Sequence, residues 1–431
     1  MRAKIDRYAP YALALILFSA ALTKVLGLEF QVVQYKQWNF PLWLMYAIGW
    51  IEIAVVGLLL FKPTRYTGLA ALIFIMVGAI LALVVGFDFT KTVLPAAILG
   101  LSGYLFYTHR PDGDSAFTPV MVLAGLILVL GLFLWGHGPT PANTDGEIET
   151  LPGGARVTHH FKEAGGIRWH YVSAGRTDRE TVLLINGFPE SWWAFHHQIN
   201  ALSADYHVIA VDMKPYGQTA KDYDGDHSYA TIAREMTALL DALGVRRLHL
   251  IGHDRGTVVA DHLAARLGEE RILRYVRMQQ SANEAHGNPK PPHALMGSLL
   301  GTLAIRARPL AWAVYGRSPY VAEPLDPATR ARLLRELQYR GTPQAVPISF
   351  KTTAWDNELA DRVNRLFKKM SMPTLVLQGE LDPGQRPEEY ANTTDWLARG
   401  RVQFIEAGHF LHLERPELVN AAILSFLKES P

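Results

Sequence analysis

Residues 250–260 read LIGHDRGTVVA: the end of an apolar strand, then Gly-x-x-x-Gly, then the opening of a helix. The run before it, RRLHLIGH (246–253), has β character, and TVVADHLAARLG (257–268) keeps its apolar positions at helical spacing. The motif therefore falls on a strand-to-helix turn, the geometry that lifts a nucleophile above the end of a sheet. Gly252 and Gly256 give the turn its room and let the helix start close against the strand. The central residue is Asp254, where an alcohol is the more common nucleophile. The plainer reading is an ordinary strand-to-helix loop with an aspartate capping the helix.

Outward from this turn, short apolar runs alternate with helical periods. TVLLING (181–187) and YHVIAVDM (206–213) precede it as strands, with YATIAREMTALLDALG (229–244) as a helix. RYVRMQQSAN (274–283), PTLVLQGE (373–380) and RVQFIEAGH (401–409) follow as strands, and PELVNAAILSFLKE (416–429) closes the chain as a helix with Pro416 near its start. RVTHHFKEAGG and IRWHYVSAG, beginning at residue 156, read as an antiparallel pair. Such spacing specifies a largely parallel α/β sheet over 156–431. A helix-like insertion at about 287–368 is expected to form a cap.

Residues 1–136 differ in character. Segments 11–28, 41–61, 66–87, 93–107 and 117–136 are apolar, with at most one charge each. A membrane span takes about 20 such residues; four segments meet that length, and 93–107 is short. Arg2, Lys4 and Arg7 resemble the start of a signal peptide, but the later apolar segments specify an anchored α-helical membrane domain of four or five spans. Five spans leave Arg2, Lys4, Arg7, Lys62, Arg65 and Arg110 inside and Lys24, Lys36 and Lys91 outside, as the positive-inside bias requires. The domain that follows is then extracytoplasmic, on a bacterial-type inner or plasma membrane. Omitting 93–107 reverses its side. Glu52 stands mid-span, where a carboxylate is costly, and Lys24 is its expected partner. Residues 137–155 (HGPTPANTDGEIETLPGGA), rich in Gly, Pro and acid, read as a linker.

The 431 residues carry a net charge of +2, and beyond residue 140 there are 33 basic and 34 acidic side chains. That balance gives no footing for nucleic acid. The absence of cysteine excludes disulfides, thiolate metal sites and a Cys nucleophile.

A catalytic set follows the turn in the order nucleophile, acid, histidine. Asp382, in VLQGELDPGQ, stands just past a strand end, with Glu380 as the near alternative. His409, in FIEAGHFLHLERPE, follows a strand and a glycine; His412 competes but lies inside the next segment. In INGFPESWW, the backbone N–H of Phe188 is placed to pair with that of Arg255 as an oxyanion hole. No metal or organic cofactor is called for.

GFPESWW (187–193), VDMKPYGQT (211–219), GHDRG (252–256), GELDP (379–383) and GHFLHLERPE (408–417) resemble, in order, motifs of the α/β-hydrolase fold. The resemblance is to the branch holding epoxide hydrolases and haloalkane or haloacetate dehalogenases, and it spans 156–431. ILFSAALTKVLG (16–27), GWIEIAVVGLLLF (49–61) and TGLAALIFIMVGAI (67–80) resemble the DoxX-like family, which has a four-helix membrane domain. For the epoxide hydrolases the resemblance implies a pair of cap tyrosines as acids. Tyr315, Tyr320 and Tyr339 lie in the cap, and Tyr315 or Tyr320 is expected to serve as one; ISFKTTAWDNE (348–358) has no tyrosine where the second belongs. For the haloacetate dehalogenases it implies a second arginine four residues past the nucleophile, where Val258 stands. Asn186 replaces the usual histidine before Gly-Phe-Pro, and Pro215 replaces a usual glycine. Asn186, Trp192, Tyr315 and Tyr320 are the expected substrate contacts, with packing the competing role for Trp192 and Trp193.

The aspartate narrows the chemistry. A carboxylate of ordinary acidity is ionised at neutral pH and attacks without a base. Attack on an ester or amide would yield an anhydride, which gains nothing. Attack on saturated carbon bearing an epoxide oxygen or a halide yields an alkyl ester that a histidine-activated water can hydrolyse. The expected protein is a membrane-tethered hydrolase of a lipophilic small molecule, epoxide ahead of halide. A non-catalytic ligand- or partner-binding membrane protein is the alternative. The apolar run 294–316 suggests a lipophilic pocket, or a cap resting on the bilayer with Arg306 and Arg308 at the headgroups.

Overall fold

The computed structural model describes residues 2–37, 42–85, 93–108, 139–280, 296–297, 299–306, 314–316, 318–352, 366–390 and 393–429. The expected span at 117–136, the cap stretches 281–295, 307–313 and 353–365, and Arg308 lie outside the described residues. The chain divides into two units, one built on Met1–Pro139 and the other on Thr140–Ile305 with Leu310–Pro431.

The first unit is helical: α1 (Arg2–Val25), α2 (Glu29–Gln37), α3 (Leu42–Leu60), α4 (Arg65–Val85) and α5 (Val93–Thr108). Among the described residues, three stretches, Arg7–Val25, Leu42–Leu60 and Lys62–Ile80, are long and apolar enough to cross a membrane. At about 1.5 Å per residue, the 19 residues of α3 reach about 28 Å, close to the hydrocarbon thickness. The 16 residues of α5 reach only about 24 Å. Helix α2 has a mixed polar sequence, EFQVVQYKQ, with no apolar run to announce it. Leu13, Leu17, Val55, Leu59, Leu69, Leu72 and Leu105 pack the interior. Lys24 of α1 donates to both carboxylate oxygens of Glu52 on α3 at 2.9 Å, which is the expected partnership. Gly49, one turn earlier on α3, permits the close approach: a Cβ there would stand 2.9 Å from Val25 Cγ2 and 3.1 Å from Lys24 Cβ.

The second unit is organised on a nine-stranded sheet: β1 (Ile148–Thr150), β2 (Arg156–Ala164), β3 (Ile167–Ala174), β4 (Thr181–Ile185), β5 (His207–Val211), β6 (Leu248–His253), β7 (Ile272–Met278), β8 (Thr374–Gly379) and β9 (Gly400–Ile405), in the order β1-β2-β3-β5-β4-β6-β7-β8-β9. The pairs β1–β2, β2–β3 and β3–β5 are antiparallel. The five pairs from β5–β4 through β8–β9 are parallel. Parallel strands covered on both faces read as unbroken apolar runs, and β4 does so: Val182, Leu183, Leu184 and Ile185 are fully buried. One face packs on α7 (Tyr229–Ala242) and α8 (Arg255–Arg271), the latter broken at Gly268. The other packs on α6 (His196–Leu202) and α12 (Pro416–Leu427).

One part of the sequence reading needs correction. Residues 148–150 fall within the expected linker yet form β1, with Ile148 opposite Thr158 and Thr150 opposite Arg156. Three residues are too few to show a period, so only the partner strand defines them. Described parts of the cap include α9 (Leu299–Arg306), α10 (Pro327–Leu337) and α11 (Thr342–Thr352). Asp326 caps α10 by accepting from the N–H groups of Ala328 and Thr329.

Candidate active site

Asp254 sits between β6 and α8 with φ 47° and ψ −122°, a conformation that costs a non-glycine residue about 1–3 kcal/mol. The close packing around the turn holds it there. A Cβ on Gly256 would stand 2.4 Å from the carbonyl oxygens of Ile185 and Asn186, and one on Gly187 would stand 2.6 Å from Asp254 Cβ. The carboxylate is thus pressed against the loop after β4. Its Oδ2 accepts the backbone N–H of Phe188 at 2.9 Å. Its Oδ1 lies 3.5 Å from Gln280 Nε2 and 3.7 Å from His409 Nε2.

His409 follows β9, and its Nδ1 meets Asp382 Oδ2 at 2.8 Å. Asp382, just past β8, also accepts the Gly384 N–H on Oδ1 at 2.7 Å and the Gln279 amide on Oδ2 at 3.2 Å. Burial works to keep the His409 ring neutral. The charge and hydrogen bond of Asp382, joined by the charge of Asp254, outweigh it and set the ring at about 9. Three residues from three strand ends are therefore assembled in one line, Asp382–His409–Asp254. Glu380 is exposed, and His412 is buried against Glu190 instead.

Beneath the line lies a group that sequence reasoning missed. His253 Nδ1 meets Glu190 Oε2 at 2.8 Å and its Nε2 meets the His409 carbonyl at 3.0 Å, so each ring nitrogen faces an acceptor. His412 Nε2 stands 3.1 Å from Glu190 Oε1. Burial opposes ionisation of Glu190, yet His253 and His412 outweigh it and hold the carboxyl well below the usual range. Burial pushes His412 down to about 4. These three groups offer ligand atoms within 4.8 Å of one another. With both His253 nitrogens already engaged, they fit a closed ion-pair cluster better than a cation site. Glu190 and His253 stand inside the quoted motifs, but their pairing spans 63 residues and has no local signal.

The expected substrate contacts divide. Asn186 is fully buried; its amide donates to the carbonyls of Gly187 and Glu190, and its oxygen accepts the Met213 N–H at 2.8 Å. Thus enclosed, it braces the loop, with both amide N–H groups taken up by backbone carbonyls, which corrects that expectation. Trp192 is 1% exposed and its ring sits edge-on to His159, while its backbone N–H donates to Asp212 Oδ1. It packs the loop, the competing role. Tyr315 is buried against Phe410 and donates to the Pro189 carbonyl at 3.1 Å, one residue past the Phe188 donor. Tyr320 is half-buried, its ring 6.1 Å from that of His409. Tyr339 is buried near Glu336 and Arg332 of α10. The Arg255 guanidinium stacks 3.8 Å above the Phe350 ring and donates to the Ser349 carbonyl at 3.3 Å, so it is anchored on α11 of the cap.

Residues 180–416 match the model of the alpha/beta hydrolase fold family, and the chain belongs to that family. Residues 10–104 match the DoxX-like family, so the hydrolase is joined to a DoxX-like membrane domain. Among relatives, human epoxide hydrolase 4 is 25% identical over 373 residues, covering 78% of this chain and 96% of that protein. AB hydrolase superfamily protein YfhM of Bacillus subtilis (strain 168) is 28% identical over 301 residues, covering 63% of this chain and 98% of that one. Of solved structures, the epoxide hydrolase CorEH superposes with a TM-score of 0.51 at 22% identity, over 63% of this chain and 98% of that one; this likeness concerns the fold.

Proposed function

We propose that this hydrolase opens an epoxide on a lipophilic substrate through a covalent ester on Asp254. The observation that carries the reading is the Phe188 N–H on Asp254 Oδ2. An N–H aimed at the nucleophile's own oxygen stabilises an oxyanion formed on the aspartyl carbon, which arises only when an ester of Asp254 is hydrolysed.

Oδ1, free of that donor, attacks an epoxide carbon, and the carbon–oxygen bond of the ring breaks. The departing alkoxide takes a proton from a cap hydroxyl, for which Tyr315, buried beside the Phe188 loop, is the first candidate and Tyr320 the second. His409, steadied by Asp382, then removes a proton from water, which attacks the ester carbonyl. The negative charge falls on Oδ2, against the Phe188 N–H. Collapse, with His409 passing its proton to the departing alkoxide, releases the diol bearing Oδ1 and leaves the water oxygen on Asp254. The names of the epoxide hydrolase relatives support the substrate class.

Single turnover in 18O-labelled water tests the scheme. The first diol carries no label and Asp254 acquires it. Label in the first diol would mean direct attack by water and an end to the ester scheme. A halide in place of the epoxide follows the same path, but Arg255, seated on Phe350 and Ser349, lends the haloacid version no support. We place the hydrolase unit on the extracytoplasmic side by the distribution of Lys and Arg. Ala142, exposed ahead of β1, is a site for a single cysteine in this cysteine-free chain. Labelling by an impermeant thiol reagent in intact cells is expected, and protection until lysis would reverse the topology.

A further inference from the structure

Two adjacent glutamines, Gln279 and Gln280, follow β7, and the first takes φ +53°, a left-handed conformation disfavoured for any residue with a Cβ. Gln279 is fully buried, and every polar atom of its side chain is engaged. Its Oε1 accepts the Gly379 N–H at 3.0 Å, at the end of β8. Its Nε2 donates to the Gly408 carbonyl at 2.9 Å and to Asp382 Oδ2 at 3.2 Å. One donor at Oε1 and two acceptors at Nε2 fix which way the amide faces. The backbone completes the clasp: the Gln279 carbonyl accepts from Gln385 Nε2 at 2.9 Å.

One side chain thus joins the end of β8, the acid loop and the residue before His409. It shares Asp382 Oδ2 with His409 Nδ1, the contact that raises the imidazole. A left-handed residue whose side chain reaches three loops is a sign of geometry kept for a purpose. We propose that Gln279 is the positioning residue of the hydrolytic half-reaction, holding Asp382 at bonding distance from His409. The proposal rests on the ester mechanism for its meaning, but its geometry and its test do not need a substrate.

The charged groups facing His409 are Asp382, Asp254, Glu190 and Glu414. The rings facing it are His253, Tyr320 and His412. None of these is altered by changing Gln279, so the His409 titration reads the clasp. The experiment uses the full-length protein in detergent, with 13C-labelled histidine, the His409 signal being identified by its loss in His409→Gln.

In the parent chain the midpoint is expected at about 9. Gln279→Met keeps the bulk and removes the clasp, so Asp382 loosens and the midpoint falls toward the ordinary value of about 6.5. Gln279→Asn keeps an amide but is one methylene shorter, so it cannot span Gly379, Gly408 and Asp382 together, and its midpoint falls as well, by about half a pH unit or more. A side chain that merely fills space would leave both midpoints at the parent value. A fall in either variant supports the proposal; unchanged or raised midpoints overturn it. A chain with lowered midpoints but no ester would uphold the clasp and sink the epoxide reading.

Discussion

Asp254 Oδ1 and His409 Nε2 stand 3.7 Å apart, too far for a hydrogen bond and close enough for their charges to interact. The Asp254 carboxylate is therefore not tied up by the imidazole, yet its charge helps keep the ring protonated at neutral pH. Alkylation of Asp254 removes that charge. On the proposed path the His409 midpoint then falls, so more of the neutral ring that activates water is present once there is an ester to hydrolyse.

Asp254→Asn imitates the uncharged ester. The base form exists above the midpoint and is lost below it, so a lower midpoint extends base function toward neutral pH. The account predicts about 9 in the parent and a lower value in Asp254→Asn, read by histidine NMR. An identical midpoint in both would remove the charge coupling.

On the proposed path Tyr315 is the first candidate for the acid and Tyr320 the second. The Tyr315 hydroxyl lies on the Pro189 carbonyl, next to the donor that holds Asp254. Tyr315→Phe is expected to slow ester formation about 10²-fold, as loss of a general acid does, and to leave ester hydrolysis unchanged. Tyr320→Phe should act less on the first step. Rapid-quench mass spectrometry of the two half-reactions checks this, and an unaffected first step in Tyr315→Phe would pass the role to Tyr320.

Arg255 serves the cap through the Phe350 ring and the Ser349 carbonyl. Lysine reproduces the charge without the flat stacking surface. Arg255→Lys is expected to raise KM about tenfold, equivalent to the loss of about 1.4 kcal/mol of uniform binding. A kcat change of that size with KM unchanged would instead place the guanidinium in the transition state.

In the membrane unit, Glu52 is buried and pairs with the half-buried Lys24. Removing one charge strands the other, which costs about 3–5 kcal/mol, whereas replacing both with apolar side chains is often close to neutral. Glu52→Leu should lower the thermal midpoint in detergent markedly, and Lys24→Met with Glu52→Leu should recover most of it. Failure of the double variant to recover would show that the pair does more than satisfy itself.

The parts legible from sequence were those with local signals. The unbroken apolar run of β4, the glycines flanking Asp254 and the strand ends before Asp382 and His409 each carried their meaning within about ten residues. The same holds for Lys24 and Glu52, because two opposite charges in apolar surroundings have few other partners. What escaped was set by distant contacts. The strand at 148–150 exists through β2. Asn186 reads as a pocket residue until Met213 and Glu190 are seen to consume its amide. Glu190–His253 and Gln279–Asp382 join residues 63 and 103 positions apart, beyond the reach of any periodicity.

The central claim is a covalent ester on Asp254, and one measurement meets it directly. His409→Gln keeps the nucleophile and removes the base, so attack proceeds and hydrolysis stops. Incubated with a lipophilic epoxide such as para-nitrostyrene oxide, digested and weighed, the peptide holding Asp254 should gain the mass of the whole epoxide. A gain equal to a haloalkane less its halogen, seen only with halides, would move the enzyme to the dehalogenases. No adduct on Asp254 with either class would contradict the account.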